Sequence, residues 1–290
     1  MNGVGPPLVT PFTEDGAVDH TSLRDLVSWV EQRGVDFLVP CGSNSEAELM
    51  TADERSAVIE TVTEAANVPV LAGTGSPGYH ETLSATEDAA DIGADAALVV
   101  TPFYYDHDQS ALAEYYRRLA DAASIPIYLY SVPAYTNTKL EPSTVGDLAR
   151  HPNIAGMKDS SGDISEFIRI VRRTREADFD AMIGSGGVFA QALSAGANGG
   201  VLALANIAPE ASAAIYQEHA ENPTTARELN AEFVELNQAI TAEHGVPGLK
   251  YSMRARGAPA GYSRIPHQPP SDAERSHLES LLDVVGETVT

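Results

Sequence analysis

Lysine is almost missing from this chain: Lys139, Lys158 and Lys250 stand against fifteen arginines. Cysteine occurs once, at Cys41, which excludes an internal disulfide framework and fits a reducing cytoplasm. No apolar run reaches the roughly 18 residues that a membrane span needs. The first seven residues carry neither a basic region nor a leader-length apolar segment, so export is not expected. Basic residues are scarce altogether, 18 against 41 acidic ones, for a formal charge of −23. Such a charge repels nucleic acid and anionic membrane, which argues against both as partners. An apolar fraction of 43% opposes the alternative that high charge means disorder. The expectation is a folded, cytoplasmic protein of halophilic type, with an acidic, hydrated surface suited to a salt-loaded cell.

What is present is a repeating unit of apolar strand, polar turn and amphipathic helix. Strand-like segments fall at 3–10, 35–40, 68–72, 96–101, 125–131, 154–158, 180–183 and 199–204. Helical periodicity fills 19–33, with Asp19 as N-cap, and 51–66, where Thr51 and Glu54 have capping-box spacing. Further helices are predicted at about 110–123, 142–150, 164–175 and 188–195, and Pro209 opens a helical remainder with segments at 225–243 and 271–285. Eight strands alternating with helices indicate a parallel α/β sheet. The count within about 220 residues favours a closed (β/α)8 TIM barrel over an open sheet. No glycine-rich dinucleotide fingerprint follows the first strand. The predicted division is a barrel over 1–221 with a C-terminal helical extension, 222–290, packed on it.

In such a barrel the strand C-termini build the active site. Here they carry Thr10, the Gly42-Ser43-Asn44-Ser45-Glu46 loop, Gly73-Thr74-Gly75, Phe103-Tyr104-Tyr105, Tyr130, Lys158, Gly184-Ser185-Gly186 and Asn206. The set lacks the several His, Asp and Glu side chains of a metal centre, so no metal is expected. The run Asp106-His107-Asp108 reads better as a solvated acidic loop than as a ligand set. Lys158 closes an apolar strand, Ile154-Ala155-Gly156-Met157, with no carboxylate before it. An amine attacks a ketone only when unprotonated, so a nucleophilic lysine needs surroundings that disfavour its ammonium form. By position alone, Lys158 reads equally well as a Schiff-base nucleophile or as a strand-end lysine reaching for solvent. A phenol such as Tyr130 beside a Schiff-base lysine can shuttle protons. Taken alone, it reads as a rim aromatic, and Gly42-Ser43-Asn44 as a turn.

Together the motifs Thr10-Pro11-Phe12, Gly42-Ser43-Asn44-Ser45-Glu46, Gly73-Thr74-Gly75, Thr101-Pro102-Phe103-Tyr104, Tyr130-Ser131-Val132-Pro133, Gly156-Met157-Lys158-Asp159 and Asn206-Ile207-Ala208-Pro209 carry a specific resemblance. In their order and spacing the chain resembles, over nearly its whole length, the dihydrodipicolinate synthase and N-acetylneuraminate lyase family of pyruvate-dependent class I lyases. The resemblance implies a (β/α)8 barrel with C-terminal helices, a homotetramer built as a dimer of dimers, and no metal or organic cofactor. It makes Lys158 the Schiff-base lysine and Tyr130 the catalytic tyrosine. It makes Ser43 and Asn44 the grip on the pyruvyl carboxylate, and it places Gly184 and Val201 in the lining of the pyruvyl pocket. Tyr104 matches a tyrosine that, in many members, joins a proton relay in the neighbouring subunit.

Departures from the family pattern bear on the acceptor. Asn44 and Ser45 replace a second hydroxyl and a glycine, and serine resists backbone angles that glycine permits. Dihydrodipicolinate-forming members carry an arginine where this chain has Tyr135, which cannot offer a second carboxylate a bidentate cation. The segments 156–160 and 184–186 look more like the 2-keto-3-deoxy sugar-acid aldolases. The expectation is therefore cleavage of 2-keto-3-deoxygluconate, in preference to its 6-phosphate, to pyruvate and an aldehyde. Asp106 and His107 sit where an arginine for phosphate would be, and Arg264 is the basic residue that would change the preference. Alternatives are a 4-hydroxy-tetrahydrodipicolinate synthase, a keto-deoxy-acid dehydratase, or a non-catalytic keto-acid sensor.

Overall fold

A computed structural model describes residues 1–287. Seven parallel strands form one sheet: β1 (Gly3–Gly5), β2 (Leu71–Gly73), β3 (Ala96–Val100), β4 (Ile127–Ser131), β5 (Ile154–Asp159), β6 (Asp180–Ile183) and β7 (Gly199–Val201). Their order, β1-β7-β6-β5-β4-β3-β2, pairs the first strand with the last and curls the sheet. The remaining position, between β1 and β2, is held by two parallel bridges, Pro7 to Val39 and Leu38 to Val70.

A complete strand was expected at 35–40; only bridges stand there, and prolines explain the difference. Pro6, Pro7, Pro40 and Pro69 bring no N–H to the ladder, so it is interrupted on both sides. The donors that remain close the ring: Leu8 N to Val39 O (3.0 Å), Val39 N to Pro6 O (3.1 Å), Leu38 N to Pro69 O (2.9 Å) and Gly73 N to Pro40 O (2.9 Å). The fold is the (β/α)8 barrel with C-terminal helices.

Local sequence explains the helices around it. Asp19 accepts from the backbone of Thr21 and Ser22 and starts helix His20–Glu31. That helix buries Leu23, Leu26, Val27 and Val30 against the sheet, each contributing about 1.5–3 kcal/mol over an exposed position. Thr51 and Glu54 form the capping box of helix Ala52–Ala65. The C-terminal region departs more from its sequence pattern. The stretch 225–243 is not one helix but Pro223–Glu232, Val234–Gln238 and a π-helical turn, Ala239–Glu243. The break falls at Phe233, which leaves helical geometry and is fully buried. Helix Gly245–Ala255 has no clear sequence signal, because Gly245, Pro247 and Gly248 crowd its first turn, where proline is nevertheless tolerated. Helix Asp272–Leu281 begins at a Ser271–Glu274 capping box and is followed by Asp283–Glu287.

Phe233, Leu236, Ile240, Leu249, Met253 and Leu278 share one core with Val4, Leu8, Leu26 and Ile207, so the C-terminal helices and the barrel bury common apolar surface. Among the described residues no helix is long and apolar enough to cross a membrane.

Candidate active site

Strand register brings Lys158 and Tyr130 together. They are direct partners on β5 and β4, and period-2 alternation turns both side chains to the inside. Lys158 Nζ sits 4.3 Å from the Tyr130 ring centroid, and both residues are buried. Among the described residues Lys158 has no carboxylate partner. Asp159, the next residue, points to the opposite face, where its carboxylate accepts from Ser161 N (3.0 Å) and Ser161 Oγ (2.9 Å). Burial raises the Asp159 carboxyl above its ordinary range, against the hydrogen bonds from Ser161.

A pocket of about 470 Å³ opens over this pair. Ser43, Asn44, Tyr130, Lys158, Gly184 and Val201 all line it, so six of the seven expected site residues meet in one cavity. Ser43 Oγ lies 3.3 Å from the Tyr130 hydroxyl, which links the loop to the phenol. Gly184 is glycine for a steric reason: a Cβ there would stand 1.9 Å from Ser160 Oγ and 3.0 Å from Lys158 Cε. The seventh residue, Tyr104, is elsewhere. It does not line the pocket of its own chain; it is 86% exposed, with a left-handed backbone (φ 82°), and its ring meets Tyr105 edge-on.

The glycine replaced by Ser45 costs the loop no left-handed backbone. Ser45 lies in a 3-10 turn, Ser43–Ser45, and the left-handed residue is its neighbour Glu46 (φ 57°). The Ser45 hydroxyl then does what glycine could not: it accepts from Gly42 N (3.2 Å) and donates to the Leu8 carbonyl. A non-glycine residue in this region stores about 1–3 kcal/mol of strain, and Glu46 is held there by its fully buried carboxylate. That carboxylate accepts from Lys250 Nζ, from Arg264 N (2.9 Å) and from His267 Nδ1 (2.9 Å).

Lys250, the second buried lysine, is a different kind of group from Lys158. Its three ammonium donors go to Glu46, Thr10 O (2.6 Å) and Tyr262 O (2.7 Å), and it does not line the pocket. Burial lowers its pKa to about 8, with Glu46 pulling the other way. Lys139 is accounted for by an ion pair with Glu166.

Arg264 is committed to the same scaffold. It donates to the Gly16 and Leu49 carbonyls and pairs with both oxygens of Glu54, each at 2.7 Å, so it is not a phosphate contact. The hydrogen bonds from Arg264 hold the Glu54 carboxyl down at about 2, against a usual 4.5. A carboxyl acidified by folding contributes stability that is complete above its unfolded pKa and lost as pH falls through its folded one. Glu54→Gln is therefore expected to flatten the acid limb of stability between about pH 4.5 and 2. Acid unfolding followed by circular dichroism checks this, and an unchanged acid limb would contradict it.

Several pocket residues escaped sequence reasoning. Asn237, Ile240, Thr241, Ala242, Gly245 and Val246 line the cavity from the C-terminal helices. Their signal was hidden because the barrel rule points only to strand ends, and the π turn that presents Ile240, Thr241 and Ala242 is invisible to a 3.6-residue period. The run 106–108 is exposed, and Asp108 accepts from Ala111 N (2.8 Å) and Ser110 Oγ (2.7 Å), and so caps helix Gln109–Ala122.

The sequence model described as the Dihydrodipicolinate synthetase family matches residues 1–285. A 4-hydroxy-tetrahydrodipicolinate synthase of Methanothrix thermoacetophila is 36% identical over 283 residues, covering 97% of this chain and 96% of the relative. One of Haloarcula marismortui is 37% identical over 284 residues, covering 97% and 93%. Among solved structures, the chloride-inhibited dihydrodipicolinate synthase of Acinetobacter baumannii, complexed with pyruvate, superposes with a TM-score of 0.94 at 30% identity, covering 98% of each chain.

Proposed function

The chain belongs to the dihydrodipicolinate synthetase family and is a pyruvate-dependent class I carbon–carbon lyase, and from that premise we propose that Lys158 is its Schiff-base amine and Tyr130 its proton shuttle. The observation that carries this is the juxtaposition of a buried lysine with no carboxylate partner among the described residues and the ring of a tyrosine, at the floor of the pocket. Ser43 and Asn44 would hold the pyruvyl carboxylate with hydroxyl and amide donors, and Gly184 and Val201 would border the pyruvyl methyl side. Lys158 adds to the C2 ketone, water leaves, and the resulting iminium draws electrons from C3. Loss of a C3 proton gives an enamine that adds to an aldehyde; in reverse, the C3–C4 bond breaks while Tyr130 takes the C4 hydroxyl proton. We further propose that Tyr104, pointed away from its own pocket, completes the relay in a neighbouring copy of a homotetramer.

For the aldehyde, the relatives' names support 4-hydroxy-tetrahydrodipicolinate synthesis, with aspartate semialdehyde as acceptor, ahead of 2-keto-3-deoxygluconate cleavage. One observation favours the sugar acid: among the described residues Lys158 is the only basic one lining the pocket, and Tyr135, largely exposed, lines it too. In the synthase reading, neutral donors such as Ser160, Ser185 and Thr241 must therefore meet the acceptor's carboxylate. Comparing kcat/KM for pyruvate with aspartate semialdehyde against 2-keto-3-deoxygluconate and its 6-phosphate, in high salt, tests this. The expected order puts the semialdehyde first. The opposite order would establish the sugar-acid reading, and Tyr135→Arg would then move activity toward the semialdehyde.

A further inference from the structure

Away from the reacting atoms, one cluster of side chains has the composition of a metal site. Glu243 ends the π turn Ala239–Glu243, His244 caps helix Gly245–Ala255, and His277 lies on helix Asp272–Leu281. One ligand atom from each lies within 4.8 Å of the others, with His277 Nε2 and Glu243 Oε2 at 3.5 Å. Four-coordinate zinc bound at about 2.0–2.1 Å places its N and O ligands a little over 3 Å apart, so small side-chain rotations close the set. His244 supplies the independent observation. Both of its ring nitrogens are buried and outside hydrogen-bond distance of any partner among the described residues, Nε2 lying 4.0 Å from Glu243 Oε2. Buried polar atoms without a partner are uncommon and call for an ion or water. Its Nδ1 faces Glu274 Oε1 at 3.7 Å, the place of a carboxylate that orients a metal-bound histidine through its second nitrogen. Gly248 makes room for the start of the His244 side chain, since a Cβ there would stand 2.4 Å from His244 Cβ.

We propose that Glu243, His244 and His277 bind a divalent transition cation such as Zn²⁺, with Glu274 orienting His244. Two imidazoles and a carboxylate are a zinc-type donor set that leaves a fourth position for water. Glu243 and His277 are about half exposed, so the ion has a route from solvent. The ion would join helix Asp272–Leu281 to the π turn whose Ile240, Thr241 and Ala242 line the substrate pocket, bracing that wall from behind. Sequence reading gives no metal site because His277 lies more than thirty residues beyond the adjacent pair Glu243-His244, on another helix.

Zinc titration of the metal-free full chain by calorimetry, with thermal unfolding in parallel, tests the site without substrate. The expected result is one Zn²⁺ per chain and a rise in unfolding midpoint. His277→Ala and Glu243→Gln, both at partly exposed positions, each weaken binding at least about tenfold and remove the rise. His107→Ala, on the exposed loop, leaves both unchanged. Absence of saturable binding below millimolar zinc, or binding that both ligand variants retain, would overturn the assignment.

Discussion

Lys158→Ala is expected to lower turnover by at least about 10³-fold with every keto acid, since among the described residues no other lysine lines the pocket. The chain itself provides the reason to expect so large a loss. Of its three lysines, Lys139 is paired with Glu166 on the outside of the barrel, and Lys250 spends all three donors on Glu46, Thr10 and Tyr262. Neither lines the pocket, and neither can replace Lys158 without dismantling structure. Removing the Lys158 side chain strands no carboxylate, so the variant should unfold near the wild-type temperature while losing activity. Single-turnover kinetics with a circular dichroism control separates the two quantities. Residual turnover within tenfold of wild type would mean that the pocket acts without an imine at this position.

Lys250→Met should produce the largest stability loss in the chain, about 3–5 kcal/mol, the usual consequence of leaving a buried charge without its partner. The Glu46 carboxylate would remain fully buried, and the Thr10 and Tyr262 carbonyls would lose a donor. The effect should reach the active site, because Glu46 is the left-handed residue that ends the Ser43–Ser45 turn. Loosening it is expected to raise the KM for pyruvate more than it lowers kcat. The double variant Lys250→Met with Glu46→Gln should recover part of the stability, since a neutral amide is less costly to bury than an unpaired carboxylate. Denaturant unfolding of the single and double variants reads this directly. A Lys250→Met protein as stable as wild type would show that the pair is neutral in place.

The juxtaposition of Lys158 and Tyr130 was legible because strand register is simple: period-2 alternation and strand order put one beside the other, and Asp159 behind them. Capping was equally readable at Asp19 and at Thr51 with Glu54. Legibility ended where a residue's partner was remote in the chain. Nothing near Glu46 announces that Lys250, Arg264 and His267 converge on it. The second barrel strand shrank to bridges because prolines on both neighbours withhold donors, which apolar content does not report. The 225–243 helix broke at a core-bound phenylalanine and widened into a π turn, and that turn supplies part of the pocket wall. Ser45 raised a concern that proximity to a glycine pattern justified, and it does not arise, because the left-handed residue that ends the turn is Glu46 and not Ser45.

Borohydride reduction in the presence of pyruvate, followed by peptide mass spectrometry, tests the central claim most directly. One reduced pyruvate per chain is expected, carried on the peptide containing Lys158 and absent from Lys158→Ala. An adduct on the Lys250 or Lys139 peptide, or no adduct from an enzyme that turns over pyruvate, would contradict it.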